Sequence, residues 1–153
     1  MADFDSGLQV IDVSNPANPQ LVGSYQTVGY SATGVMISGK YAYVTGGYGF
    51  EVIDVSNPAT PQRVGTYRAG MISGSYHVAV WGHYMAFSSY GLELIDVSDP
   101  TNPHWVGRYS AHGPTFGVAF SDHYAYLADF GFLQVLDVSN PSDPQAVGRP
   151  RGM

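Results

Sequence analysis

The chain contains no cysteine. Disulfides, thiolate nucleophiles and cysteine-ligated zinc are therefore excluded, although this does not decide the compartment. Charge is also scarce. Charged residues make up 12% of the chain, and Lys40 is the single lysine beside five scattered arginines. With a net charge of −6 and no basic stripe, nothing is set up to follow a phosphate backbone. Nucleic acid is not an expected partner, and neither is an anionic membrane surface. No apolar run approaches the ~20 residues that span a bilayer, so membrane insertion is not expected. Met1 leads at once into Ala2-Asp3-Phe4, which does not read as a signal peptide. All five asparagines (Asn15, Asn18, Asn57, Asn102, Asn140) precede proline, so no glycosylation sequon is present.

What the chain does have is repetition. The stretch Ile11-Asp12-Val13-Ser14-Asn15-Pro16 returns as Ile53-Asp54-Val55-Ser56-Asn57-Pro58. It returns again as Ile95-Asp96-Val97-Ser98-Asp99-Pro100 and as Leu136-Asp137-Val138-Ser139-Asn140-Pro141. The aspartates stand 42, 42 and 41 residues apart, a period that means a solenoid, a propeller or an array. Glycine (19 residues) and aromatics (14%) suit many short strands joined by tight turns.

Each repeat carries four strand-like runs, A to D. Strand A is Thr33 to Ser38, aligned without gaps to Tyr76 to Trp81 and Phe116 to Ser121. A two-residue turn follows at Gly39-Lys40, Gly82-His83 or Asp122-His123, where glycine or aspartate can reach positive φ. Strand B is Tyr41 to Val44, Tyr84 to Phe87 and Tyr124 to Leu127. A glycine-rich loop then carries one aromatic per repeat: Phe4, Tyr48, Tyr90 or Phe130. Strand C is Leu8 to Val13, Phe50 to Val55, Leu92 to Val97 and Leu133 to Val138. These runs are nearly continuously apolar, which predicts strands buried on both faces between stacked sheets. Eight of the ten prolines lie in the Asn/Asp-Pro-x-x-Pro segments that follow, where the chain must turn. Strand D begins at Gln20, Gln62, His104 and Gln145. No run has a helical period, so no helix is expected.

The fold class is therefore all-β, in propeller blades of four antiparallel strands. The Ile-Asp-Val-Ser-Asn-Pro core, preceded by Gly7-Leu8-Gln9-Val10 and followed by Pro19-Gln20-Leu21-Val22-Gly23, resembles the LVIVD repeat family of β-propellers. The resemblance covers essentially the whole chain. It implies blades, mostly in bacterial and archaeal surface or secreted proteins, hence an extracellular or cell-surface location. It implies no shared catalytic residues. Residues 1–153 read as one repeat domain, with a half blade at 1–25 and blades near 33–67, 76–109 and 116–149. Rings usually need ~4 to 8 blades. Three and a half leave apolar faces open, so the expected partner is another copy, in a closed dimer or an open filament. The bland alternative is an excerpt of a longer propeller.

For chemistry, the repeated aspartates Asp12, Asp54, Asp96 and Asp137 are expected to hold turns. One per blade spaces them beyond the ~5–10 Å of a glycosidase pair. Neither a metal nor any other cofactor is expected. The Asp3-Phe4-Asp5-Ser6-Gly7 stretch lacks the twelfth-position acid of a calcium loop, Ser14 standing there. A hydrolase or lyase is a remote alternative, because no convergent acid–base set is visible. The candidate binding residues are the loop residues of one face: Tyr30, Tyr48, Tyr76, His77, Tyr90, His112 and Phe130. Exposed tyrosines there would suit a glycan or a protein surface. Recurrence of one aromatic per repeat instead predicts that most of them pack between blades. The expected function is a non-catalytic module for protein interaction or self-assembly, with glycan binding second.

Overall fold

The computed structural model describes residues 1–28, 31–47, 49–68, 77–88, 90–111 and 113–148. Every regular element among them is a β-strand. The first sheet holds β1 (Ala2–Asp3), β2 (Gly7–Asp12) and β3 (Gln20–Tyr25). The second holds β4 (Gly34–Ser38), β5 (Tyr41–Gly46), β6 (Gly49–Asp54) and β7 (Gln62–Arg68). The third holds β8 (Val78–Trp81), β9 (Tyr84–Ser88), β10 (Gly91–Asp96) and β11 (His104–Ser110). The fourth holds β12 (Thr115–Ser121), β13 (Tyr124–Asp129), β14 (Phe132–Asp137) and β15 (Gln145–Gly148). Each sheet is an antiparallel meander in which sequence neighbours are spatial neighbours.

The local chemistry of each turn explains these boundaries. The A–B hairpins close through Gly39, Gly82 and Asp122 at φ 56°, 57° and 52°. Two glycines and one aspartate reach this left-handed region with little strain. The C–D connection is closed by the proline segment. In every sheet the C–D pair slips register at one place: between Val10/Ile11, Val52/Ile53, Leu94/Ile95 and Val135/Leu136. A bulge repeated at one site is a designed bend rather than a defect.

The chain forms two compact units, Met1–Ser73 with Pro100–Asn102, and Gly74–Asp99 with Pro103–Met153. In the first, Leu8, Ala32, Ala42, Val44 and Ile53 form the core. In the second, the core is Ala86, Leu92, Leu94, Ala125, Leu127, Leu136 and Val138. Both cores are made the same way. Residues alternate across a C strand, so each has two faces. The leading face carries Leu8 and Val10, Leu92 and Leu94, and their equivalents. The trailing face carries Ile11 and Val13, Leu136 and Val138, and theirs. In each unit the leading face of one sheet packs on the trailing face of the next.

Burial on both faces holds for β6 and β10, whose apolar residues Phe50, Val52, Ile53, Leu92, Leu94 and Ile95 are all buried. It does not hold for β2 and β14. Val13, just past β2, is 63% exposed, and Leu133 on β14 is 44% exposed. The sequences of the four strands are nearly interchangeable, but these two strands have no sheet against one of their faces.

Candidate functional site

The repeated aspartates are each spent on their own turn. Asp12 Oδ1 accepts the Ser14 amide at 2.8 Å, and Asp96 Oδ1 accepts the Ser98 amide at 2.7 Å. Asp54 and Asp137 accept both the amide and the hydroxyl of Ser56 and Ser139, at 2.5–2.9 Å. The following asparagines Asn15, Asn57 and Asn140 cap the next turn by accepting the amides of Ala17, Ala59 and Ser142. The proline then sits in a segment already bent by side-chain-to-backbone bonds.

These bonds favour the ionised carboxylates. The Ser14 amide and hydroxyl hold Asp12 below the usual carboxylate range, and Ser139 does the same for Asp137. At Asp96 burial is the largest influence and acts upward. The Ser98 bonds, with His104 and His83 nearby, together outweigh it and leave the carboxyl lowered. Asp54 is lowered furthest, to about 2, by the Ser56 hydroxyl and amide and then by Lys40, whose Nζ lies 3.0 Å away. A carboxylate lowered on folding stabilises the fold above its unfolded pKa, and that contribution is lost as pH falls through the folded value. Asp54→Asn is therefore expected to melt below the parent at neutral pH. The gap in Tm should close between about pH 4 and pH 2. A gap that is constant with pH would show that the charge contributes nothing.

Of the candidate binding residues, Tyr30, Tyr48, Tyr76 and His112 lie outside the described residues. His77 is exposed just before β8, and its carbonyl accepts the Ser88 amide at 3.3 Å. Tyr90 is 62% and Phe130 is 73% exposed. The expectation that the recurring loop aromatics pack between sheets fails for both, and for exposed Phe4. Phe130 lies in the loop between β13 and β14, and Tyr90 in the equivalent loop between β9 and β10. Recurrence here reflects equivalent loops rather than equivalent burial.

The second unit joins two of these residues through one segment. Thr115 Oγ1 donates to the Gly91 carbonyl at 3.0 Å, which ties the start of β12 to the loop carrying Tyr90. Next in sequence, Phe116 is 55% exposed and meets Phe130 at 6.2 Å between ring centroids. Asp129 beneath them accepts the Phe130 amide and the Gln134 amide group, at 2.6 and 2.5 Å. Flat rings held over a fixed loop can stack on a sugar ring or on another apolar surface. Phe116 was legible in sequence as part of strand A, but was not among the candidate binding residues. Among the described residues, no three His, Asp or Glu side chains are grouped closely enough to hold a metal.

A second constellation escaped the sequence reading. The D-strand glycines lie against the proline turns of the next sheet. A Cβ built on Gly23 would stand 2.0 Å from the Pro58 carbonyl oxygen, and one on Gly65 2.0 Å from that of Pro100. At Gly107 the distance to the Pro141 oxygen is 2.3 Å. The turns at Pro58, Pro100 and Pro141 are thus the surfaces against which the preceding strand-D glycines lie. The signal in sequence was a Val-Gly pair at a constant offset in every strand D. Gly148, the fourth of the set, would meet nothing nearer than Val135 Cβ at 3.9 Å. The first proline turn, at Pro16, has no described glycine against it.

Four antiparallel meanders of one pattern, with the same strand-D glycine at the next proline turn at Gly23, Gly65 and Gly107, are β-propeller blades. The LVIVD repeat model matches residues 1–27, 29–69, 72–111 and 112–150, and the chain belongs to that family. Among solved structures it is similar to the computationally designed Ika8 protein, at 14% identity and a TM-score of 0.75. That match covers 99% of this chain and 45% of the other. It is also similar to KlHsv2 with loop 6CD replaced by a Gly-Ser linker, at 13% identity and a TM-score of 0.52. Here 72% of this chain and 36% of the other are covered. The chain thus spans less than half the length of either structure, and the likeness is one of fold. No curated protein matches it.

Proposed function

We propose that the chain is a non-catalytic propeller module that binds copies of itself. The leading face of the fourth blade, at Leu133 and Val135, packs on the trailing face of another copy's first blade, at Ile11 and Val13. The observation that carries this reading is the pairing rule within each unit. Leading meets trailing where Leu8 packs with Ile53, and again where Leu94 packs with Leu136. The two faces left without a partner are one of each kind. The unmatched Gly148 and the unmatched Pro16 turn repeat the same complementarity in the backbone. Apolar faces of this sort favour association, and a contact between unlike faces builds either a ring or a filament. The non-catalytic reading is supported by the aspartates, each of which accepts from its own turn through Oδ1.

Light scattering tests this directly. The parent is expected to run at a multiple of the 16.4 kDa chain mass. Gly148→Ala, whose new Cβ has room in the single chain, is expected to run as one chain. In the complex that Cβ would strike the partner's proline turn as it would at Gly107. A parent that stays monodisperse at one-chain mass overturns the proposal.

A further inference from the structure

The fourth blade departs from the other three at one corner. Where strand C begins, those blades have Gly7, Gly49 and Gly91. Each takes a positive φ, and a Cβ there would stand 1.9–2.3 Å from the strand-D carbonyl oxygen of Tyr25, Tyr67 or Tyr109. The fourth blade has Phe132 at this position instead, and it is 57% exposed. Strand A departs as well. The β12–β13 ladder slips register between Thr115 and Gly117, whereas the β4–β5 and β8–β9 ladders run without a shift. Phe116 is the extra residue at that bulge, a device that re-aims a side chain. It meets Phe130, so three exposed phenylalanines gather at this corner.

Register joins these rings to a carboxylate. Thr115, Asp129 and Phe132 stand side by side across β12, β13 and β14. Alternation gives them the face of Gln134 and Leu136, which packs on the third blade within the same unit. The polar atoms left over on this face are acceptors. Asp129 accepts the Phe130 amide and the Gln134 amide group, and an ionised carboxylate has about four lone-pair sites, so acceptor capacity remains. Gln134 is 1% exposed, and its Oε1 has no hydrogen-bond partner while its Nε2 is spent on Asp129. A buried acceptor of this kind is costly until something donates to it. The charge around it is of one sign. No lysine or arginine occurs between Gly113 and Gly148, a stretch that carries Asp122, Asp129, Asp137 and Asp143. Arg108 on β11 lies opposite Glu93, on the face of the third blade turned away from the fourth.

We propose that this corner binds a small primary ammonium ion with an apolar body. The ammonium group donates to the Asp129 carboxylate, with Gln134 Oε1 behind it as a second acceptor. The rings of Phe130 and Phe132 cover the apolar body and attract the cation through their faces. A sugar fits less well, because it brings acceptors as well as donors and the donor of Gln134 is already used. An anion would meet Asp129 with no counter-ion beside it. The corner lies on the face opposite to Leu133 and Val135, so it stands whether or not copies associate through their blades.

The probe is phenethylammonium chloride, titrated into the full chain at neutral pH and followed by NMR. The backbone amides of Phe130 and Phe132 and the side-chain amide of Gln134 are expected to shift together. The Kd should be on the order of 1 mM, in keeping with so small a ligand. 2-Phenylethanol has the same body without the charge, and is expected to bind at least about fivefold more weakly. Asp129→Asn keeps an acceptor for the Phe130 amide and removes the charge. It is expected to weaken the ammonium at least about threefold and to leave the alcohol unchanged. Phe132→Gly installs the residue of the other three blades. It is expected to keep a dispersed spectrum and to weaken the ammonium at least about threefold. Absence of shifts at this corner, an alcohol that binds as tightly as the ammonium, or unchanged affinity in Asp129→Asn would overturn the proposal. Tighter binding of Nα-acetyl-lysinamide than of phenethylammonium would assign the corner to protein side chains and overturn it too.

Discussion

In dilute solution, where each runs as one chain, Gly107→Ala is expected to melt several degrees below the parent, while Gly148→Ala melts with it. A Cβ at Gly107 would stand 2.3 Å from the Pro141 oxygen and 2.9–3.0 Å from Ser142 backbone atoms. Real side chains do not sit that close, so a backbone must move. The obstacle resists moving, because proline holds its own φ and the turn is closed by the Asp143 amide on the Asn140 carbonyl at 3.0 Å. Overpacking of this kind costs about 1–3 kcal/mol. In a chain of this size each kcal/mol moves Tm by about 2–4 °C. At Gly148 the same methyl finds ordinary contact with Val135 at 3.9 Å. Thermal melts by circular dichroism on the two variants decide the matter. Equal melting temperatures would show that the turn yields and that the glycines do not lock the blades.

Arg63→Ala is expected to be strongly destabilising, costing about 3 kcal/mol. Glu51 on β6 is 1% exposed, and Arg63 Nη1 lies 3.0 Å from its Oε1. Its other oxygen has no hydrogen-bond partner. The hydroxyl of Tyr25, on the preceding blade, is pushed up by its own burial and then by the charge of Glu51. Removing the arginine leaves a carboxylate buried without a counter-ion. The figure belongs at the low end of the range for broken buried pairs, because the Arg63 side chain is 42% exposed and water can enter in its place. Glu51→Gln in the same background is expected to recover most of the loss. Glutamine already occupies this position at Gln9 and at Gln134, the latter 1% exposed. Urea denaturation of the parent, Arg63→Ala and the double variant measures all three. A loss below about 1 kcal/mol for Arg63→Ala would place the pair with weak surface bridges instead.

The candidate site was less legible than the fold, and for a definite reason. Tyr90 and Phe130 stand in equivalent loops and were rightly singled out by residue type. Whether such a ring lies inside or outside depends on what the neighbouring blade presents to it, which loop sequence does not contain. Gly23, Gly65 and Gly107 were visible as a regular Val-Gly pair. That each must lack a side chain followed only when the next blade's proline carbonyl stood where a Cβ would be. Glu51 read as one polar residue in an apolar strand, and its arginine partner lies across the C–D pair at Arg63.

The sequence by itself determined the period, the four strand types, their order and the chemistry of each turn. These are local properties: alternation sets two faces, proline and Asn or Asp bend the chain, and glycine or aspartate opens the hairpin. The tertiary structure decided which copies of the same strand are buried twice and which once. β2, β6, β10 and β14 carry nearly the same residues, yet Val13 is exposed and Val138 is buried. Burial belongs to a face and its neighbour together, so four equal repeats become unequal at the first and the last.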